Sequence, residues 1–116
     1  MKKIYYLSSC DTCARIIKEL GLKEKGFTFQ DIKTEKITPG QLDEMVQLAG
    51  SHEALFSRVA LKYKSLGLKD KKLREKDYRK YILEEYTFLK RPVIIKGKQI
   101  FIGNSKSTVE AAKATL

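Results

Sequence analysis

The chain has 116 residues, of which 42% are apolar and 33% are charged, and its net charge is +10. This length and composition are typical of one folded domain and exclude a disordered chain. No apolar run is long enough to cross a bilayer and no signal peptide is recognised, so we expect a cytoplasmic protein without a membrane partner. The charge favours anionic partners, but no nucleic-acid-binding motif accompanies it. We therefore expect a solvated basic surface and no direct contact with nucleic acid.

The first third of the chain predicts a strand, a helix and a second strand. Residues 3–7 are β-branched and aromatic, as in a strand. Ser8 and Ser9 are candidate N-caps for an amphipathic helix that begins near Cys10. In residues 27–32 apolar and polar side chains alternate, as in a half-buried strand. Because the crossover of a βαβ unit favours parallel strands, we expect the two strands to pair in parallel.

The middle of the chain predicts helices only. A cap residue followed by a first-turn proline at 38–39 is typical of a helix start, and this helix is expected to end near Gly50. Further helical segments are predicted at 51–61 and 75–85. Because no strand is predicted here, the block of about residues 38–88 is interpreted as a helical insert.

The last third predicts a hairpin and a helix. Strands are expected at 92–95 and 99–102 with a glycine-containing turn between them, and Asn104 or Ser105 caps a final helix. The element order is β-α-β, a helical insert, then β-β-α. We therefore predict an α/β fold with a four-stranded mixed sheet, and a single domain over residues 1–116.

The two cysteines, Cys10 and Cys13, are separated by two residues at the junction of the first strand and helix. In a reducing compartment such a pair is more typical of redox or metal chemistry than of a structural disulfide. A zinc site needs four ligands, and the chain adds only the distant His52, so we predict no metal site. A pair of buried, inert cysteines is the remaining alternative.

The spacing of the pair favours redox chemistry. Residues three apart at a helix start lie on the same side and within disulfide reach, and we expect Cys10 to be exposed. Unpaired N–H groups at the helix terminus stabilise a thiolate, while the charge of Asp11 opposes it. We therefore expect a moderate lowering of the Cys10 pKa and predict that Cys10 and Cys13 are the catalytic residues.

With these cysteines and a second segment near its end, the sequence resembles the glutaredoxin-linked arsenate reductases of the ArsC family and the related Spx regulators. The sequence is more similar to the reductase branch than to the Spx branch. The similarity covers essentially the whole chain. The resemblance implies a thioredoxin-like fold with an inserted helical lobe. The segments that carry it are the strand before Cys10, residues 50–58, residues 63–68 and residues 89–95.

The resemblance also implies roles for individual residues. Cys10 matches the family's nucleophile, and Arg58 and Arg91 match arginines that bind the substrate. Pro92 would follow a cis peptide bond and face the cysteine. A guanidinium suits this role because its donor fork matches arsenate or phosphate oxygens. The alternative for each arginine is a solvated charge or a structural ion pair.

Three functions remain open on the sequence. In the first, Cys10 attacks an oxyanion such as arsenate, which is reduced to arsenite, and Cys13 or glutathione resolves the adduct. This enzyme would be a monomer without a bound cofactor, and glutaredoxin or thioredoxin would be its reductant. In the second, a Cys10–Cys13 disulfide switches a Spx-like regulator that binds RNA polymerase. The third is a general disulfide reductase.

Overall fold

The computed structural model describes all residues from Met1 to Leu116. They form two compact units. We call residues 1–36 with 91–116 the sheet unit, and residues 37–90 the helical unit. The insert expected at about 38–88 lies within the helical unit, and the prediction of a single domain over the whole chain stays a prediction.

Nine regular elements alternate with short 3₁₀ turns. In chain order the helices and strands are β1 (Lys2–Tyr6), α1 (Asp11–Leu20), β2 (Thr28–Asp31), α2 (Pro39–Ala49), α3 (Leu61–Ser65), α4 (Glu75–Glu84), β3 (Val93–Lys96), β4 (Gln99–Ile102) and α5 (Lys106–Thr115). The 3₁₀ turns are Leu22–Glu24, Glu53–Leu55, Leu68–Asp70 and Tyr86–Phe88. None of the helices combines the length and the apolar character that crossing a membrane requires.

The four strands form one sheet in the order β2-β1-β3-β4. β1 and β2 are parallel, as expected for strands joined by the α1 crossover. β3 is antiparallel to both of its neighbours, β1 and β4. The α/β class and the predicted four-stranded mixed sheet are therefore confirmed.

The sheet unit has an aliphatic core between one face of the sheet and two helices. Ile4 and Ile94 are paired across β1 and β3, and both are almost fully buried. The apolar residues of α1 and α5 pack in the same cluster, because their three- and four-residue spacing places them on one face of each helix. Burying a side chain of this size stabilises the fold by about 1.5–3 kcal/mol.

The helical unit is built around Phe56 rather than around aliphatic side chains. Its ring is fully buried and stacks on Phe88 at 5.1 Å between centroids, with Tyr78 at 4.8 Å and Tyr63 at 6.0 Å. Such aromatic pairs add about 0.5–1.5 kcal/mol beyond the area that they bury. The first helix of the unit begins as predicted, since Thr38 caps α2.

The helix predicted at 51–61 is wrong. This segment has only a 3₁₀ turn at Glu53–Leu55 and then becomes extended at Phe56, which forms an isolated antiparallel bridge with Leu89. The N–H of Ser57 donates to the carbonyl of Phe88 at 2.7 Å. The extended backbone is required because these interstrand hydrogen bonds need main-chain groups that a helix would use internally.

Candidate active site

The register of the sheet places the ends of three strands at one edge. β1 pairs with β2 up to Tyr6 and Asp31, and it pairs with β3 at Tyr5 and Val93. The chain leaves β1 at this edge toward Cys10, and it enters β3 there from the arginine–proline pair. The topology therefore brings together two segments that are about 80 residues apart in sequence.

A tight turn connects β1 to α1. The N–H of Cys10 donates to the carbonyl of Leu7 at 3.0 Å, and Ser8 and Ser9 lie between them. Cys10 itself is the N-cap residue of α1, so the expectation that a serine caps this helix is wrong. The hydroxyl of Ser8 is used instead in a hydrogen bond to Asp31.

Both cysteines are free thiols, and they differ in exposure. Cys13 is completely buried in the first turn of α1, whereas Cys10 is half-buried rather than exposed as expected. The thiol of Cys13 lowers the pKa of Cys10, and the sulfur of Cys10 raises the pKa of Cys13. The two sulfur atoms are thus neighbours, and only Cys10 is accessible to a reactant.

The surroundings of Cys10 favour its thiolate. Partial burial acts to raise its pKa, but the N–H and thiol of Cys13, the N–H of Thr12 and the charge of Arg91 together lower the pKa below 9.0. The side chain makes no capping hydrogen bond of standard geometry, so the N–H groups act mainly through their partial positive charge. A lowered pKa at a helix N-terminus is typical of reactive cysteines.

The surroundings of Cys13 have the opposite effect. Burial raises the pKa of Cys13 to about 11, and the sulfur of Cys10 contributes in the same direction. The N–H of Leu7 and the charge of Arg91 oppose this change only in part. At neutral pH Cys13 therefore remains a thiol, while Cys10 is the sulfur that ionises first.

Arg91 and Pro92 lie in the sheet unit with the cysteines. The peptide bond between them is cis, in agreement with what the resemblance implied. Pro92 is buried, and its carbonyl accepts a hydrogen bond from the N–H of Gly103 at 2.9 Å. The charge of the half-buried Arg91 lies near enough to the cysteine pair to lower the pKa of both thiols.

Arg58 lies in the helical unit and has local partners. Its Nη2 donates to Oε2 of Glu53 at 2.8 Å and to Oη of Tyr78 at 2.9 Å. The guanidinium also lies over the rings of Phe56 and Tyr78, at 5.8 Å and 5.6 Å from their centroids. The structure therefore places Arg58 in an ion pair, and its role in substrate binding stays a prediction.

His52 also has a partner in the helical unit. Its Nδ1 lies 3.1 Å from Oε1 of Glu75, and the N–H groups of His52 and Glu53 donate to the same carboxylate. Only 16% of the His52 side chain is exposed. No group of three or more His, Cys, Asp or Glu side chains is placed to hold a metal ion.

Asp31 was not among the predicted site residues, yet it ends β2 at the edge that also carries Cys10. Its carboxylate accepts hydrogen bonds from the Ser8 hydroxyl and, at 3.1 Å, from the N–H of Lys33. Chiefly because of the Ser8 hydroxyl, the pKa of Asp31 is lowered below 3.8. The available signal was an aspartate at the end of a strand predicted to be parallel to β1.

The fold and the accessible, activated cysteine define a class: a thiol-dependent oxidoreductase of thioredoxin-like fold. The sequence model of the ArsC family matches residues 5–112. The chain therefore belongs to the ArsC family. A comparison with curated protein sequences gave no match.

Solved structures support the same fold over nearly the whole chain. An arsenate reductase from Vibrio cholerae is similar with a TM-score of 0.80 and 17% identity, covering 99% of this chain and 97% of that one. An arsenate reductase-related protein from Brucella melitensis has a TM-score of 0.69 and 23% identity, covering 95% and 92%. The protein SACOL0876 from Staphylococcus aureus has a TM-score of 0.75 and 25% identity, covering 96% and 97%.

Proposed function

We propose that this protein reduces a small oxyanion such as arsenate, with Cys10 as the nucleophile. The observation that carries the proposal is the contrast between the two thiols. Cys10 is accessible and has a lowered pKa, whereas Cys13 is buried beside it and has a pKa of about 11. One sulfur is thus suited to attack, and the other is suited to remain a thiol until it is needed.

In the first step the Cys10 thiolate attacks arsenic(V), forming a sulfur–arsenic bond while one arsenate oxygen leaves as water. Arg91 is proposed to hold the substrate oxygens and to stabilise the thiolate, since its charge acts on both sulfur atoms. Arg58 is proposed as a second ligand of these oxygens. That role would require it to exchange Glu53, its present partner at 2.8 Å, for the anion.

In the second step a thiol attacks the Cys10 sulfur, and the sulfur–arsenic bond breaks. The bonding electron pair passes to arsenic, which leaves as arsenite, and the two sulfur atoms are oxidised to a disulfide. The attacking thiol is Cys13 or glutathione. Glutaredoxin or thioredoxin then supplies two electrons and two protons to restore the thiols, so the protein needs no bound cofactor. We propose that it acts as a monomer in the cytoplasm, where such reductants operate.

The test is steady-state arsenate reduction with glutathione, glutaredoxin and an NADPH-coupled readout. We expect turnover by the wild-type protein and none by Cys10→Ser. Cys13→Ser is the matched variant. It loses turnover if Cys13 resolves the adduct and keeps it if glutathione does. Wild-type turnover no higher than that of Cys10→Ser would contradict the proposal.

A second candidate is favoured by the proximity of the two sulfur atoms, each of which acts on the pKa of the other. Oxidation would replace this contact with an intramolecular disulfide and could act as a switch, as in a Spx-like regulator that binds RNA polymerase. Affinity capture by the reduced and the oxidised protein distinguishes this function. RNA polymerase bound equally in both states, or in neither, would count against it. A general disulfide reductase would instead turn over a glutathione mixed disulfide without arsenate.

A further inference from the structure

Asp31 and Ser8 connect the end of β2 to the turn that carries Cys10. The Ser8 hydroxyl donates a hydrogen bond to Oδ2 of Asp31, and the N–H of Ser8 also faces this carboxylate. The other carboxylate oxygen, Oδ1, accepts the N–H of Lys33 at 3.1 Å. Hydrogen bonds to a charged acceptor are stronger than neutral ones, so the carboxylate joins two loops at the sheet edge.

The same turn determines where the Cys10 sulfur lies. Residues 7–10 are closed by the hydrogen bond from the Cys10 N–H to the Leu7 carbonyl, and Ser8 is the first of the two residues inside the turn. Cys10 then begins α1, where the N–H groups of Thr12 and Cys13 stabilise its thiolate. Because the effect of the partial charges at a helix terminus is confined to the first turn, a shift of the turn would reduce this stabilisation.

We propose that Asp31 and Ser8 are positioning residues, whose hydrogen bond holds the turn so that the Cys10 sulfur meets the N-terminal end of α1. The inference rests on the proposed function only in taking Cys10 as the reactive thiol. Asp31 touches neither the reacting sulfur nor a substrate in this role and acts through Ser8. Its carboxylate is ionised wherever Cys10 titrates, since the pKa of Asp31 is below 3.8.

A charge effect and a positioning effect of Asp31 have opposite signs. If the carboxylate acted only as a nearby negative charge, its removal would favour the thiolate and lower the Cys10 pKa. If it positions the turn, its removal raises that pKa, because the thiolate loses the N–H groups of α1. The sign of the change in Asp31→Ala, which removes both the charge and the hydrogen-bond acceptor, therefore separates the two.

The experiment measures the rate of iodoacetamide modification of Cys10 against pH in the reduced full-length protein, with mass spectrometry to locate the modified cysteine. We expect Ser8→Ala and Asp31→Ala to raise the apparent pKa of Cys10, so that the rate near pH 7 falls by about 3- to 10-fold while the rate at high pH is kept. Ser9→Ala, in the same turn but not bonded to Asp31, should follow the wild-type profile. Ser8→Thr retains a hydroxyl and should also show the wild-type dependence of the rate on pH.

Thermal unfolding of each variant shows whether it is folded, and because Ser8 is exposed we expect the Ser8 variants to fold. If the wild-type Cys10 pKa is lowered and stays unchanged in folded Ser8→Ala and Asp31→Ala, the positioning role alone is overturned. A decrease in the Cys10 pKa in Asp31→Ala, or an equal loss of reactivity in Ser9→Ala, would overturn it too. A wild-type Cys10 that titrates like a free thiol would instead overturn the proposed function.

Discussion

The sheet unit and the helical unit each contain one of the two predicted substrate-binding arginines, and the two guanidinium groups interact with different kinds of partner. Arg91 lies two residues before the central strand β3, and its charge acts on both cysteines. Arg58 is paired with Glu53 and Tyr78 inside its own unit. The comparison indicates that position in the sheet, rather than residue type, gives an arginine its effect on the thiols.

The two units also differ in what stabilises them. The sheet unit combines strand ladders with an aliphatic core, whereas the helical unit relies on short helices, 3₁₀ turns and a cluster of aromatic rings around Phe56. A few large side chains therefore carry a greater share of the packing in the helical unit. Four predictions test this comparison.

The largest effect is expected in the aromatic cluster. Phe56→Ala should lower the free energy of unfolding by about 3–5 kcal/mol, because it removes a fully buried ring and leaves a cavity. In the sheet unit, Ile94→Val removes one methylene and should cost about 0.5–1.5 kcal/mol. Urea unfolding followed by circular dichroism measures both. Similar values for the two variants would contradict the central role of Phe56.

The buried thiol of the sheet unit predicts a loss of stability in alkali. The fold raises the pKa of Cys13 from 9.0 to about 11, so it favours the neutral thiol. The burial of the neutral thiol therefore contributes on the order of 2–3 kcal/mol to the free energy of unfolding. This contribution is fully present below pH 9 and is lost as the pH rises toward 11. Unfolding free energies of the reduced protein across this range should therefore fall more steeply for the wild type than for Cys13→Ala. Parallel slopes would show that Cys13 is not the group responsible.

The arginine comparison predicts different effects on the reactivity of Cys10. Arg91→Ala removes a charge that lowers the Cys10 pKa, so the rate of thiol alkylation near pH 7 should fall by up to about tenfold. Arg58→Ala should leave this rate unchanged, since Arg58 is engaged with Glu53. A loss of thiolate reactivity in Arg58→Ala would contradict the conclusion that Arg91, and not Arg58, acts on the Cys10 thiolate. The turnover assay separately tests whether Arg58 binds substrate.

The smallest effects are expected at two helix N-caps, one in each unit. Thr38 accepts the N–H of Gln41 at the start of α2, and Ser105 accepts the N–H of Thr108 at the start of α5. Replacing either by alanine should lower the free energy of unfolding by about 1 kcal/mol. Thermal or urea unfolding of the two variants is the measurement. An effect below a few tenths of a kcal/mol at one cap would indicate that its helix is held by packing alone.

Elements with a local signal were predicted well. Thr38 and Ser105 cap helices as expected. The helix that was predicted wrongly depends on a contact between distant residues. The helix predicted at 51–61 gave way to an extended residue because Phe56 pairs with Leu89, a contact more than thirty positions away that no local pattern encodes.

In the candidate site, too, features with a local sequence signal were predicted and a contact between distant residues was not. Cys10, Cys13 and the cis peptide bond before Pro92 were all anticipated from short motifs and a family resemblance. The hydrogen bond from Ser8 to Asp31 was not, because the serine was interpreted as a local helix cap. A hydroxyl has several potential acceptors, and only the packing of strands selects one of them.

By itself, the sequence determined the order of the strands and helices along the chain and the pair of sulfur atoms at a helix start, because hydrophobic periodicity, caps and spacing are local properties. Only the tertiary structure decided which sulfur is accessible, which arginine acts on it and which carboxylate holds its turn. The charge of Arg91 acts on Cys10 and the carboxylate of Asp31 bonds to its turn, and strand pairing brings both to the same sheet edge from distant parts of the chain.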